Sequence, residues 1–101
     1  MRLYEKEGDM VKKSPEIRNV EFRILAPKAK WVGIAGDFNG WKPDSLTARR
    51  DRSGVWRATA MLSAGTHEYK FVVDGSWITD PTCSRRAINA FGSENSVLVV
   101  K

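Results

Sequence analysis

The sequence predicts an all-β domain, an antiparallel β-sandwich of immunoglobulin-like type with about seven short strands. Apolar and polar residues alternate with a period of two in several segments, as in half-buried strands. Turn-forming residues separate these segments at intervals of about ten residues. No segment of useful length has the periodicity of an amphipathic helix. The chain has 101 residues, which is enough for one core of this kind.

The first 19 residues are predicted to form a flexible charged leader, and the domain is expected to span residues 20–101. Nine of those 19 residues are charged, and no periodicity extends along them. The first strand then begins with Val20, where Val, Phe and Ile alternate with Glu and Arg until Pro27 ends the pattern. In a later segment Trp56 shares a face with Ala58 and Leu62, which predicts that Trp56 lies in the core. The predicted strands of this half are 20–26, 31–35, 46–48 and 55–62.

The central strand is predicted at 68–73, followed by a two-residue hairpin turn at Asp74 and Gly75. Alternation places Tyr69 and Phe71 on the buried face and Lys70 on the opposite face, outside the core. The segment 82–89 is polar and has no strand pattern. The two other strands predicted in this half are 78–79 and 96–100.

Two tryptophans near turns need separate accounts. Trp31 points away from the face that Val32 and Ile34 share, so it either covers a second apolar surface or is exposed at an edge. Packing is favoured, with a contact between subunits as the alternative. Trp41 lies in a loop that is rich in turn formers, which favours an exposed indole. Phe38, in the same loop, is expected to pack back onto the core.

Composition excludes several classes of protein. Cys83 and His67 are the only residues of their types, so neither a disulfide framework nor a structural zinc site is expected. No apolar run approaches the roughly 18 residues that span a bilayer, and the N-terminus does not resemble a signal peptide. We therefore expect a cytoplasmic protein with no membrane partner, no metal and no cofactor.

Catalytic motifs are also missing. Nucleophilic catalysis requires a Ser, Cys or Thr beside a base, and no nucleophile motif surrounds any Ser. A glycosidase needs two carboxylates that flank a cleft, but Asp74 and Asp80 are already explained as turn residues. No Gly-rich loop precedes a helix, as a phosphate site would require. The sequence predicts that the chain is not an enzyme.

A set of aromatic and polar residues remains, and most of it lies in loops and turns: Trp41, Lys70, Trp77, Phe91 and Asn95. Flat rings beside hydrogen-bonding groups suit a pyranose sugar, which has apolar faces and a polar rim. They also suit single-stranded nucleic acid, whose bases stack on aromatic side chains. The formal charge of +5 slightly favours nucleic acid, although the basic runs at 49–52 and 85–86 are typical of solvated loops. The residues alone leave both ligands open.

Three segments resemble a known family: 36–41 (GDFNGW), 65–81 (GTHEYKFVVDGSWITDP) and 95–100 (NSVLVV). They are similar to the glycogen-binding domain of the AMP-activated protein kinase β subunit. More broadly they resemble carbohydrate-binding module family 48, which also occurs in glycogen branching and debranching enzymes. The resemblance extends over roughly Val20 to Lys101 and implies an early-set immunoglobulin-like sandwich.

The resemblance also implies roles for individual residues. Trp41 and Trp77 correspond to the two platform tryptophans, and Lys70 to the lysine that hydrogen-bonds sugar hydroxyls. Phe91 replaces a leucine that enters the ring of a curved oligosaccharide, and the polar positions after it correspond to Ser93 and Asn95. The implied function is non-catalytic binding of α-1,4-linked glucan such as glycogen or starch, with no nucleic-acid partner. The alternative is a protein-interaction or self-associating domain that has lost sugar binding, with a second copy or another protein as its partner.

Overall fold

The structure, a computed structural model, describes residues 16–101. The first 15 residues, which form most of the predicted leader, lie outside the described residues. All strand pairs are antiparallel, and the all-β prediction is confirmed. The described part contains no helix that is long and apolar enough to span a membrane. Its strands are β1 (Ile17–Leu25), β2 (Val32–Gly36), β3 (Arg49–Arg50), β4 (Val55–Ser63), β5 (Gly65–Val73), β6 (Ser76–Ile78), β7 (Arg86–Ile88) and β8 (Glu94–Val100).

The strands form two sheets. The smaller has the order β1-β4-β3, and the larger has the order β2-β5-β8-β7 with β6 beside β5. One side of β5 pairs with β2, and the other side is shared end to end by β8 and β6. Strand β8 pairs with residues 65–69 and β6 with residues 71–73, so Lys70 lies at the junction between them.

The core lies between the two sheets, where alternation turns one face of each strand inward. Phe71 and Ile34 are completely buried there, and Phe38 stacks on Phe22 at the edge, with ring centroids 5.6 Å apart. The predictions for Phe38 and Trp56 are confirmed. Trp56 is buried, and its Nε1–H donates to the carbonyl of Ala26 at 2.9 Å. This bond removes the cost of burying an unpaired indole N–H.

Several strand boundaries differ from the prediction; β5, for example, begins at Gly65, three residues before the predicted 68–73. Strand β1 begins at Ile17, three residues earlier than expected, and so includes the end of the predicted leader. The prediction of no strand in 82–89 was wrong, because Arg86–Ile88 pairs with β8 as an edge strand. Three residues with no buried position among them are too few to show an alternation. The predicted strand 46–48 makes a single bridge, Gly33 to Thr47, after which the chain enters the other sheet as β3.

The outer face of the larger sheet is more covered than alternation predicted. Lys70 was expected outside the core, but it is only 8% exposed, and Val72 is also buried. Loops and neighbouring side chains lie over this face, and the alternation of residues along a strand does not predict such cover. Trp31 packs on the same face, because a Cβ added at Gly33 would lie 2.6 Å from its Cη2 atom. Trp31 thus packs over Gly33 but is still 36% exposed, and the contact with another subunit stays a prediction.

Candidate functional site

A single open cavity on the outer face of the larger sheet brings together the residues that the sequence singled out. It has a volume of about 490 Å³, within the usual range for small-molecule sites. Residues from strands β5, β6 and β8 and from two turns line it: Trp41, Lys70, Trp77, Asn89, Phe91, Ser93 and Asn95. All six predicted site residues are in this set. Asn89 is the one that sequence reasoning missed.

Trp41 is presented by the segment 37–42, which we call the Trp41 turn. Its backbone has a φ of +62°, in the left-handed region that a bulky residue rarely occupies. The side chain of Asn39 holds this conformation by accepting from the Gly36 N–H at 3.0 Å and donating to the carbonyls of Ile34 at 2.9 Å and Lys42 at 3.2 Å. The Trp41 N–H also donates to the Gly36 carbonyl at 2.9 Å. The indole is therefore fixed to the end of β2.

Trp77 is positioned by the hairpin between β5 and β6. Asp74 and Gly75 both have positive φ, +48° and +87°, as the predicted two-residue turn requires. One carboxylate oxygen of Asp74 accepts the N–H groups of Lys30 and Trp31, each at 2.9 Å, which ties the turn to the neighbouring strand. Trp77 lies directly opposite Val72, so both project from the outer face. The Trp77 side chain is 48% exposed and offers a ring face to the cavity.

Lys70 forms part of the cavity floor. Its Nζ donates to the Ser93 hydroxyl at 3.1 Å, and it has no ion pair with any carboxylate of residues 16–101. An ammonium group has three donors, so two of them remain for a bound molecule. A nearly buried cation with spare donors favours a ligand that is rich in hydroxyl oxygens.

Asn89 links the polar residues of the floor. Its Nδ2 donates to Ser93 Oγ at 2.8 Å and to Asn95 Oδ1 at 3.0 Å, and the Asn95 amide donates in turn to Glu68 at 3.0 Å. Ser93 Oγ thus accepts from both Lys70 and Asn89. Because a hydroxyl has two lone pairs and one proton, its O–H is left to donate to a ligand.

The same asparagine shapes the segment 89–93, which we call the Phe91 turn. Its Oδ1 accepts the backbone N–H groups of Phe91 at 2.9 Å and Ser93 at 3.2 Å, and Gly92 supplies a positive φ of +82°. Phe91 projects from this turn and is 94% exposed. A ring so exposed contributes almost nothing to the core, which favours a role in binding.

His67 and Asp37 support the Trp41 turn from behind. Asp37 accepts the Glu68 N–H at 2.9 Å and contacts His67 Nδ1 at 3.1 Å, while His67 Nε2 lies 2.9 Å from the Ser63 carbonyl. Both partners of the ring are acceptors, so only the imidazolium can donate to both. The hydrogen bond to Ser63, together with Asp37, raises the pKa of His67. These contacts give the histidine a structural role.

Asp80 fixes the chain just after β6. It is buried, accepts from the Tyr69 hydroxyl at 2.6 Å, and accepts twice from Thr82 at 2.9 Å. Burial, with the bond to this carboxylate, raises the pKa of Tyr69. Asp80 is thus a turn residue whose carboxylate is engaged by Tyr69 and Thr82.

The cavity lining itself consists of aromatic rings, amides, a hydroxyl and an ammonium group. No group of three His, Cys, Asp or Glu side chains in residues 16–101 could hold a metal ion.

The family is established by comparison with known proteins. The family model for the glycogen recognition site of AMP-activated protein kinase matches residues 21–101. The chain belongs to this family. The match begins in β1 and includes every residue of the cavity.

Several curated relatives share this segment. The 1,4-alpha-glucan branching enzyme of Rhodopseudomonas palustris is 36% identical over 74 residues, which are 73% of this chain and 10% of the enzyme. Protein FLOURY ENDOSPERM 6 of Oryza sativa is 34% identical over 85 residues, 84% of this chain and 15% of that protein. Protein PTST homolog 2 of Arabidopsis thaliana is 33% identical over 72 residues, 71% of this chain and 13% of that protein. The chain therefore spans only a small part of each relative. The last two carry the word chloroplastic in their names, and the cytoplasmic location expected for this chain stays a prediction.

Proposed function

We propose that the chain binds α-1,4-linked glucan without transforming it. The observation that supports this most strongly is the composition of the cavity, where three aromatic rings surround a floor of hydrogen-bonding groups. Trp41 and Trp77 would each stack on the apolar face of a pyranose ring, and Phe91 would contact a further ring from the Phe91 turn. Lys70, Ser93 and Asn95 would bond the hydroxyls at the sugar rim.

The choice of glucan rests on the family and its relatives. The family model describes a glycogen recognition site, and the name of the branching enzymes specifies 1,4-alpha-glucan. Those enzymes share only the segment that corresponds to this chain, about a tenth of their length, so similarity to them supports binding and not their reaction. The cavity lining has no pair of carboxylates of the kind that glycoside hydrolysis uses.

The expected affinity is modest. Each indole covers roughly 60–80 Å² of apolar sugar surface, which gives about 1.5–2 kcal/mol at ~25 cal/mol/Å². Two or three hydrogen bonds add about 1 kcal/mol each. After the cost of association, the dissociation constant should lie between roughly 10 μM and 1 mM.

The test is a titration of intrinsic tryptophan fluorescence with maltoheptaose and β-cyclodextrin, with cellohexaose as the β-linked control. We expect saturable changes with the α-linked sugars only. Trp77→Ala should abolish them, together with retention on glycogen, and should leave the far-UV circular dichroism unchanged because the ring is half exposed.

Trp31→Phe is the matched control, since Trp31 packs on the same sheet face but does not line the cavity. This variant should bind maltoheptaose as the parent does. The proposal fails if no sugar causes a response up to ~10 mM, well beyond the affinity range that the contacts predict. It also fails if Trp77→Ala keeps full retention on glycogen.

A further inference from the structure

Strand β1 forms a long open edge of the smaller sheet. It pairs with β4 on one side only, and no strand of the described residues 16–101 pairs with its other side. The Ala26 N–H donates to Gly54 and the Ala64 N–H donates to Glu16, so the even-numbered residues of this register face β4. Along an antiparallel pair, the backbone N–H and C=O groups of successive residues point alternately toward the partner strand and away from it. The odd-numbered residues therefore present these groups to the open side. These are Ile17, Asn19, Glu21, Arg23 and Leu25, and all five are exposed.

An edge of nine residues is a template for pairing with another strand. The charges on its outer surface favour a particular partner. Arg23 lies directly opposite Arg57, which lies directly opposite Arg49, so three arginines form one row across the sheet. Like charges in this relation repel one another.

Within residues 16–101, only the middle arginine of this row has a carboxylate partner. Arg57 pairs with Asp51 at 3.1 Å and with Glu21 at 3.3 Å. Arg23 has no carboxylate within 4.0 Å in residues 16–101, and its remaining neighbour position is on the open side of β1. A carboxylate placed on that side would relieve the repulsion.

We propose that β1 pairs antiparallel with β1 of a second copy of this chain, with the two-fold axis at Phe22. In this register Glu21 lies opposite Arg23 of the second copy, and Arg23 lies opposite Glu21 of the second copy. Two ion pairs form, and each Arg23 gains the carboxylate that it lacks. An axis at Glu21 or at Arg23 would instead place like charges opposite each other. The charge pattern therefore selects one register.

The pairing joins two three-stranded sheets into one sheet of six. Its two-fold axis is perpendicular to that sheet, so both larger sheets lie on the same side of it. The two cavities, which are on the outer faces of the larger sheets, then face the same way. If the chain binds glucan as proposed above, one polymer surface can engage both cavities at once, and the second contact raises the overall avidity.

The dimer is tested without sugar, by sedimentation velocity over a range of concentrations. An interface made of one strand pair is small, so we expect a dissociation constant between about 10 μM and 1 mM. Arg23→Glu and Glu21→Arg should each weaken self-association by about tenfold or more, because each replaces two attractive pairs by two repulsive ones. An equimolar mixture of these two variants should restore dimers, since every pair across the interface is again of opposite sign.

Glu21→Pro is a second, independent variant. The Glu21 N–H faces the open side, so proline there removes no backbone hydrogen bond to β4 and, apart from the exposed Glu21–Arg57 ion pair, loses only the new pairing. It should be monomeric with an unchanged far-UV spectrum. A parent chain that stays monomeric up to ~1 mM, the weak end of the expected range, overturns the proposal. Variants that dimerise as the parent does, or a mixture that stays monomeric, also overturn it. Because no sugar is present, failure of the dimer and failure of glucan binding are told apart.

Discussion

Two turns present aromatic residues to the cavity, and each is held by an asparagine in a different way. In the Trp41 turn, Asn39 bonds only to backbone groups, two of which belong to β2. In the Phe91 turn, Asn89 bonds to its own turn and to the side chains of Ser93 and Asn95, which line the cavity. One asparagine thus ties an aromatic residue to the sheet. The other ties an aromatic residue to the polar groups that line the cavity.

Because the two asparagines have different partners, we expect Asn39 to matter mainly for the stability of the fold and Asn89 mainly for ligand binding. Trp41 has an unfavourable backbone conformation that the rest of the structure must offset, whereas in the Phe91 turn the positive φ falls on Gly92, and Phe91 is almost fully exposed. The same type of residue should therefore affect folding on one side of the cavity and binding on the other.

The largest effect is expected for Asn39→Ala. It removes three hydrogen bonds and leaves the Ile34 carbonyl without its side-chain donor. At about 1 kcal/mol for each bond, the free energy of unfolding should fall by about 2–3 kcal/mol. Urea denaturation followed by tryptophan fluorescence measures this change. A loss below ~0.5 kcal/mol, the size of an ordinary surface substitution, would contradict the structural role of Asn39.

Asn89→Ala should have the reverse profile. Three of its four side-chain bonds are exposed, where water replaces them, and only the bond to the buried Asn95 is partly shielded, so we expect the free energy of unfolding to fall by about 1 kcal/mol. The dissociation constant for maltoheptaose should rise about tenfold, which corresponds to ~1.4 kcal/mol, because Ser93 and Asn95 lose their shared donor. Asn89→Asp sharpens the test. It keeps the acceptor for the Phe91 and Ser93 N–H groups but loses both donors, so it should retain the turn and still bind weakly.

The smallest effect concerns pH and is confined to the Trp41 side. His67 contacts Asp37 at the start of the Trp41 turn, and its pKa is raised above the usual 6.5, mainly by the Ser63 carbonyl. A group with a raised pKa in the folded state contributes its full stabilisation below its ordinary pKa and loses it as the pH rises through the raised one. The midpoint of urea denaturation should therefore decrease slightly above pH 6.5. His67→Gln should remove this decrease, and an unchanged pH profile in that variant would contradict the role of His67.

Much of the fold and of the candidate site could be predicted from the sequence. Alternation located the core positions of Phe22, Trp56 and Phe71, because every second residue of a strand in a sandwich points between the two sheets. The resemblance indicated six residues that the structure brings around one cavity. Their roles in sugar binding stay a prediction until the titration is done.

The burial of Lys70, strand β7 and the role of Asn89 could not be predicted from the alternation of apolar and polar residues. The burial of Lys70 results from chain segments that are distant in sequence, and β7 is a short edge strand with one solvated side. Asn89 resembles any polar residue of a loop. A signal was present, since Asn two residues before Phe-Gly favours a turn in which the side chain caps backbone N–H groups. That signal indicates a turn but not the partners of the amide.

The left-handed backbone at Trp41 has a consequence for how this domain could change over time. Glycine or asparagine would adopt the same conformation at lower cost, so sequence drift under selection for folding alone would replace the indole. A chain that keeps tryptophan here retains a residue that its backbone disfavours. On the function proposed above, position 41 would be a marker by which binding and non-binding members of the family are sorted from sequence.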